Sequence, residues 1–203
     1  MCPGAFAKCL GISLLPLSVV CVLCNILLFF PGGTPVESKR LSEEVWYFGG
    51  ILGSGVLMLF PALVFLGLKN DDCSGCCGNA SCGRRFAMLS SILFAGVGVL
   101  GAGYSVVVSV LAIKRGPLCQ ISNGSEVEWK HPFENSDYLS NSASWKQCEQ
   151  PADVVHWNLS LFSVLLALGL VQAVLCAVQV VNGLLGALCG DCCGGSRGAQ
   201  ATA

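Results

Sequence analysis

Phe86 to Ile113 reads FAMLSSILFAGVGVLGAGYSVVVSVLAI, without a single Asp, Glu, Lys, Arg or His. At a rise of about 1.5 Å per residue such a run crosses the roughly 30 Å hydrocarbon layer of a bilayer. Lipid offers no partner to a backbone N–H or C=O, so the run must satisfy these groups internally, and it lacks the two-residue alternation of a barrel strand. An α-helix is the remaining solution. Leu10 to Phe30, Trp46 to Leu68 and Leu159 to Leu188 read the same way and are equally free of ionisable side chains. The sequence therefore predicts an all-α membrane protein, a four-transmembrane-helix antiparallel bundle.

Composition agrees. Of 203 residues, 54% are hydrophobic and 11% charged, where a soluble domain carries about a quarter charged. A net charge of −1 gives no field for nucleic acid. The first run is too long for a secretory signal core and no small-residue cleavage site follows it, so it is expected to remain. Pro16 and Pro61 lie inside spans, where a helix can kink while its neighbours re-satisfy the freed carbonyl, and no gross break is expected.

The chain then divides into a cytosolic N-terminus (1–9), spans at 10–30, 46–68, 86–113 and 158–188, a short extracellular loop (31–45), a cytosolic Cys-rich loop (69–85), a large extracellular loop (114–157) and a cytosolic tail (189–203). Lys and Arg number five on the side of the termini and six on the other, so charge bias does not set the orientation. Two other features do. The 114–157 loop holds the sequon Asn123-Gly124-Ser125 and just two cysteines, Cys119 and Cys148, which suits an oxidising compartment and allows one disulfide closing a small loop domain. Trp129, Phe133, Tyr138, Leu139 and Trp145 are available as its core. Asn158-Leu159-Ser160 is a second sequon, close to the bilayer; Asn79-Ala80-Ser81 falls on the cytosolic side. Trp46, Tyr47 and Trp157 fall at the outer interface, where amphipathic rings fix helix depth.

The opposite side carries Cys2, Cys9, Cys73, Cys76, Cys77, Cys82, Cys189, Cys192 and Cys193 at the ends of the spans. Juxtamembrane thiols in a reducing compartment are the physical substrate for S-acylation (palmitoylation), because the acyl chain can enter the adjacent leaflet. Zinc is the competing reading, but no His lies nearby and the spacing is Gly-rich, so no metal is assigned. Redox catalysis fits poorly: Cys21-x-x-Cys24 lies within the first span, and neither His131 nor His156 is placed to activate a thiol. No nucleophile motif appears, the chain is read as not an enzyme, and no cofactor is called for.

Inside lipid, helices associate through close backbone approach. Small residues four apart supply it: Gly49 with Gly53, Gly50 with Ser54, Gly98 with Ala102, Gly101 with Ser105, and Gly169, Ala173 and Ala177. Asn25, Tyr104, Gln172, Gln179 and Asn182 are the uncharged polar residues in the spans, read as interhelical glue; Asn25 is expected to bond to Ser54, Ser105, Ser109 or Ser163. A transporter normally places ionisable groups at mid-membrane, and none is present.

The motifs resemble the transmembrane-four L-six family along nearly the whole chain. They are Asn25-Ile26-Leu27-Leu28-Phe29-Phe30-Pro31, Gly116-Pro117-Leu118-Cys119, Trp145 with Cys148, Trp157 to Ser163, Cys76-Cys77-Gly78 with Cys82-Gly83-Arg84-Arg85, and Val181-Asn182-Gly183-Leu184-Leu185-Gly186. Tetraspanins and claudins do not fit: the Cys-Cys-Gly is on the inner loop, and the second outer loop is the large one. The resemblance implies a plasma-membrane glycoprotein without catalysis. It implies association with integrins, growth-factor receptors and other tetraspan proteins, and influence on cell adhesion, migration and density-dependent proliferation. Membrane lipids are the other partners, and a homo-oligomer is left open. The alternatives are a small channel or lipid and sterol carrier using Gln172 and Gln179, and a membrane thiol oxidoreductase.

Overall fold

The computed structural model describes residues 3–31, 41–67, 80–123, 126–134, 138–140, 142–151 and 153–189. Four helical stretches are long and apolar enough to cross a membrane: Phe6–Leu27, Glu43–Gly67, Leu89–Arg115 and Val154–Leu185. They belong to α1 (Pro3–Leu27), a second span made of α2 (Glu43–Trp46), a π-helix (Gly49–Val56) and α3 (Leu57–Gly67), then α4 (Ala80–Arg115) and α5 (Val154–Cys189). α1 packs on the second span and on α5, and α4 packs on the second span and on α5, so the spans form a ring in chain order.

The ends of these helices follow local chemistry. α1 runs through Pro16 and stops at Leu27, and Phe29 and Phe30 then turn tightly with N–H bonds to Ile26 and Leu27 carbonyls. Phe30 precedes Pro31, and the α region is disfavoured for a residue before proline. α4 ends at Gly116, whose φ of +74° suits the left-handed position that closes a helix. α5 begins four residues ahead of the apolar boundary at 158, because Val154 and Val155 are buried beneath the outer loop.

The second span departs from the continuous helix expected of Trp46 to Leu68. Phe48 takes a left-handed conformation with φ 49°, and eight residues then wind as a π-helix. The physical reason lies in Gly53 and Gly50. A Cβ on Gly53 would sit 2.4 Å from the Gly101 carbonyl oxygen of α4, and one on Gly50 would sit 2.7 Å from the Cys21 carbonyl oxygen of α1. The segment is wedged between two backbones, and residues without side chains permit both the approach and the wider winding. Two apolar clusters fill the bundle, one around Leu14, Met58 and Phe65 and one around Leu28, Val108 and Leu165.

Candidate functional site: outer loop and bundle core

The outer loop is a small folded unit. Strands β1 (Cys119–Asn123) and β2 (Glu126–Lys130) pair antiparallel from Cys119↔Lys130 to Asn123↔Glu126. Gln120 exchanges bonds with the segment after Cys148: its N–H donates to Gln150 O at 2.9 Å, and Glu149 N–H donates to Gln120 O at 3.0 Å. The Cys119–Cys148 disulfide, with Cα atoms 5.4 Å apart, closes this arrangement. Phe133 and Tyr138 pack against each other at a tilt of 32°, 4.6 Å between centroids, in one cluster with Val154 and Val155. The Tyr138 hydroxyl donates to Ile113 O at the top of α4, and its burial pushes the phenol pKa up. Trp145 Nε1 donates to Tyr138 O at 2.9 Å. Of the five residues assigned to the loop core, Phe133 and Tyr138 are buried, Trp129 and Trp145 half-buried, and Leu139 is 54% exposed and outside it. Alternation in a short loop carried no sign of which face Leu139 would take.

The hairpin is absent from the sequence reading although Gln120-Ile121-Ser122-Asn123 and Glu126-Val127-Glu128-Trp129 flank Gly124-Ser125, a two-residue turn signal that was read only as part of the sequon. A polar clasp at the outer ends was also missed. Arg115 Nη1 donates to Glu43 Oε2 and Glu44 Oε1, both at 3.1 Å, and Arg115 Nε lies 3.6 Å from Glu134 Oε1. Leu118 N–H donates to Ser42 Oγ at 3.0 Å. The signal was Glu43-Glu44 ahead of the second span and Lys114-Arg115 just past the third.

Interfacial aromatics bind helix ends to one another. Trp157 Nε1 donates to Leu27 O at 3.0 Å, and the Tyr104 hydroxyl donates to Tyr47 O at 2.8 Å, a carbonyl at the break before Phe48. Phe29, Trp46 and Phe48 form a ring cluster beside them.

Deeper in the bundle Gln172 Nε2 donates to Ser54 O at 3.0 Å, Gln179 Nε2 to Ser91 Oγ at 3.4 Å, and Asn182 Nδ2 to Gln179 Oε1 at 3.2 Å. Asn25 is buried, but its Oδ1 accepts no hydrogen bond among the described residues. The expected bond to a serine is not formed at that atom: Ser109 Oγ donates to Ser105 O instead, and Ser163 faces outward. Gly49, Gly53, Gly98, Gly101, Ala102 and Gly169 are buried and Ala173 is half-buried, whereas Ala177 is exposed. The α5 seam therefore ends a turn before Ala177, because Cys176 takes the inward position beside Met58.

Cys21 and Cys24 are buried free thiols, as is Cys176, and Cys9 is exposed on α1. Cys82 lies in α4 and Cys189 ends α5. Cys2, Cys73, Cys76, Cys77, Cys192 and Cys193 lie outside the described residues, as do Gly124 and Ser125 of the first sequon. Asn123 ends β1, and Asn158 lies half-buried in the second turn of α5.

Four apolar helices packed in a ring, with one disulfide-closed loop between the third and fourth, define a multi-pass tetraspan membrane protein. Residues 1–193 match the family described as L6 membrane protein, and the chain belongs to that family. It is 63% identical over 193 residues to mouse transmembrane 4 L6 family member 4, covering 95% of this chain and 94% of the relative. The human protein of that name is 60% identical over the same shares. Human transmembrane 4 L6 family member 1 is 49% identical over 197 residues, covering 95% of this chain and 96% of the relative. No solved structure matches.

Proposed function

We propose that the chain is a non-enzymatic organiser of the plasma membrane, with both termini cytosolic, that associates laterally with integrins, growth-factor receptors and related tetraspan proteins. In this reading it tunes cell adhesion, migration and density-dependent proliferation. The observation that carries it is the closure of the bundle: Gln172 and Gln179, the amides a channel or lipid carrier would need along its path, are both 0% exposed. What the described spans offer to their surroundings is an apolar face, including Leu93, Leu100, Val174 and Val181. That face suits contact with lipid and with other helices. The thiol-oxidoreductase alternative needs a reachable pair, and Cys21 and Cys24 are buried and unbonded.

The outer loop selects partners in this proposal, and the inner cysteines, when acylated, sort the protein laterally. Asn123 is the preferred glycan site, with Asn158 second. Replacement of the nine inner cysteines by serine tests the mechanism in epithelial cells: membrane partitioning and the set of proximity-labelled neighbours should both change. If neither responds, acylation has no part in sorting.

A further inference from the structure

Besides Glu44 Oε2 in the clasp at the start of the second span, each of the four spans holds one buried oxygen without a hydrogen-bond partner among the described residues. They are Asn25 Oδ1 on α1, Ser54 Oγ on the π-helix, Ser105 Oγ on α4 and Gln172 Oε1 on α5. The four residues are at most 1% exposed. All four belong to the π-helix or border it. Gln172 Nε2 reaches Ser54 O, and a Cβ on Gly50 would meet Asn25 Cβ at 2.8 Å. A Cβ on Gly53 would meet Ser105 Cβ at 3.3 Å, and one on Gly169 would meet Ser54 Oγ at 3.5 Å.

The two hydroxyls are unusual for helix serines, which commonly return the proton to the carbonyl four residues back. Ser13, Ser18 and Ser109 do so, onto Cys9, Leu14 and Ser105. Ser105 would need the Gly101 carbonyl, but Gly53 is pressed against that oxygen. Ser54 would need the Gly50 carbonyl, and π winding directs that group toward the N–H five residues ahead. The sulfur of Cys21, a weak acceptor, is what lies beside Ser54. Both protons are thus uncommitted to backbone. The Gln172 amide is oriented by the bond its nitrogen donates, which leaves Oε1 as an acceptor alone, and a carboxamide oxygen cannot donate.

Two acceptors and two hydroxyls match one molecule. Water has two O–H groups for the amide oxygens and two lone pairs for the serine protons. A cation fits less well, because the apolar runs contain no carboxylate to offset its desolvation. We propose that these four residues form a buried water site, one from each span, and that the water ties the four helices together at the π-helix.

Water-edited solid-state NMR on the full chain in lipid bilayers tests this. Magnetisation starting on water should reach Ser54, Ser105 and the side-chain amides of Asn25 and Gln172 at short mixing times, several-fold more strongly than it reaches Met58 and Ala95, which are also fully buried. The Ser54→Ala/Ser105→Ala protein should lose that excess. Transfer to the four residues no greater than to Met58 overturns the proposal, and so does full retention of the excess in the double variant. If the double variant does not fold, the wild-type comparison alone decides.

Discussion

Gln172 on the fourth span and Ser54 on the second, 118 residues apart, are joined through a side-chain amide that donates to a backbone carbonyl at 3.0 Å. The acceptor lies in the π-helix, so the bond secures a stretch of span that departs from α-helical winding. Replacing Gln172 by Leu removes the donor and strands a buried carbonyl, a loss of about 1–2 kcal/mol. The midpoint of thermal aggregation in detergent should fall for Gln172→Leu and stay near wild type for Val174→Ala, which changes an exposed side chain.

Gly53 and Gly96 offer opposite outcomes for one substitution. Gly53→Ala places a methyl 2.4 Å from the Gly101 carbonyl oxygen, whereas nothing lies within 4 Å of a Cβ on Gly96. Overpacking costs about 1–3 kcal/mol, while alanine gains up to about 1 kcal/mol over glycine within a helix. Gel filtration after heating should show Gly53→Ala losing its monodisperse peak and Gly96→Ala keeping or extending it.

Arg115 holds Glu44, whose side chain is 4% exposed, and Glu43, which is 71% exposed. Arg115→Ala leaves the Glu44 carboxylate buried without its counter-charge, at a cost of about 2 kcal/mol for a clasp whose arginine is one-third exposed. The Arg115→Ala/Glu44→Gln protein should recover much of this loss in the same thermal assay. No recovery would mean that the arginine acts through packing instead.

The Cys119–Cys148 bond closes a separation of 29 residues, for which chain entropy gives a stabilisation of about 3–4 kcal/mol. Its partners Phe133 and Tyr138 pack on Val154 and Val155 of α5, so the loop core should loosen on reduction while the spans hold. Limited proteolysis of reduced and oxidised protein should yield new cuts between β2 and α5 and none within the bundle.

The spans were legible because a charge-free run in lipid has one backbone solution, which Phe86 to Ile113 illustrates over its whole length. The Cys119–Cys148 disulfide was legible because the two cysteines had no competitor in their loop. The π-helix was not. Gly49, Gly50, Gly53 and Gly55 announce close packing, but the winding depends on two neighbouring backbones that no local pattern contains. Tyr104, Gln172, Gln179 and Asn182 were visible as polar residues needing partners, yet Tyr104 and Gln172 bond to backbone carbonyls, which are invisible in side-chain identity. The serines expected to partner Asn25 share its depth counted from the loop ends of the spans, and depth sets neither the rotation of a helix nor the direction of a carboxamide.

The proposed function depends on orientation: it requires the disulfide-closed loop to meet partners outside and the cysteine clusters to meet the acylating compartment inside. Epitope insertion measures this directly. An epitope placed between Ser140 and Asn141 should bind antibody on intact cells, and one appended after Ala203 should bind only once the plasma membrane is permeabilised. Staining of the C-terminal epitope on intact cells, with the loop epitope hidden until permeabilisation, would contradict the orientation and the functions assigned to the two faces.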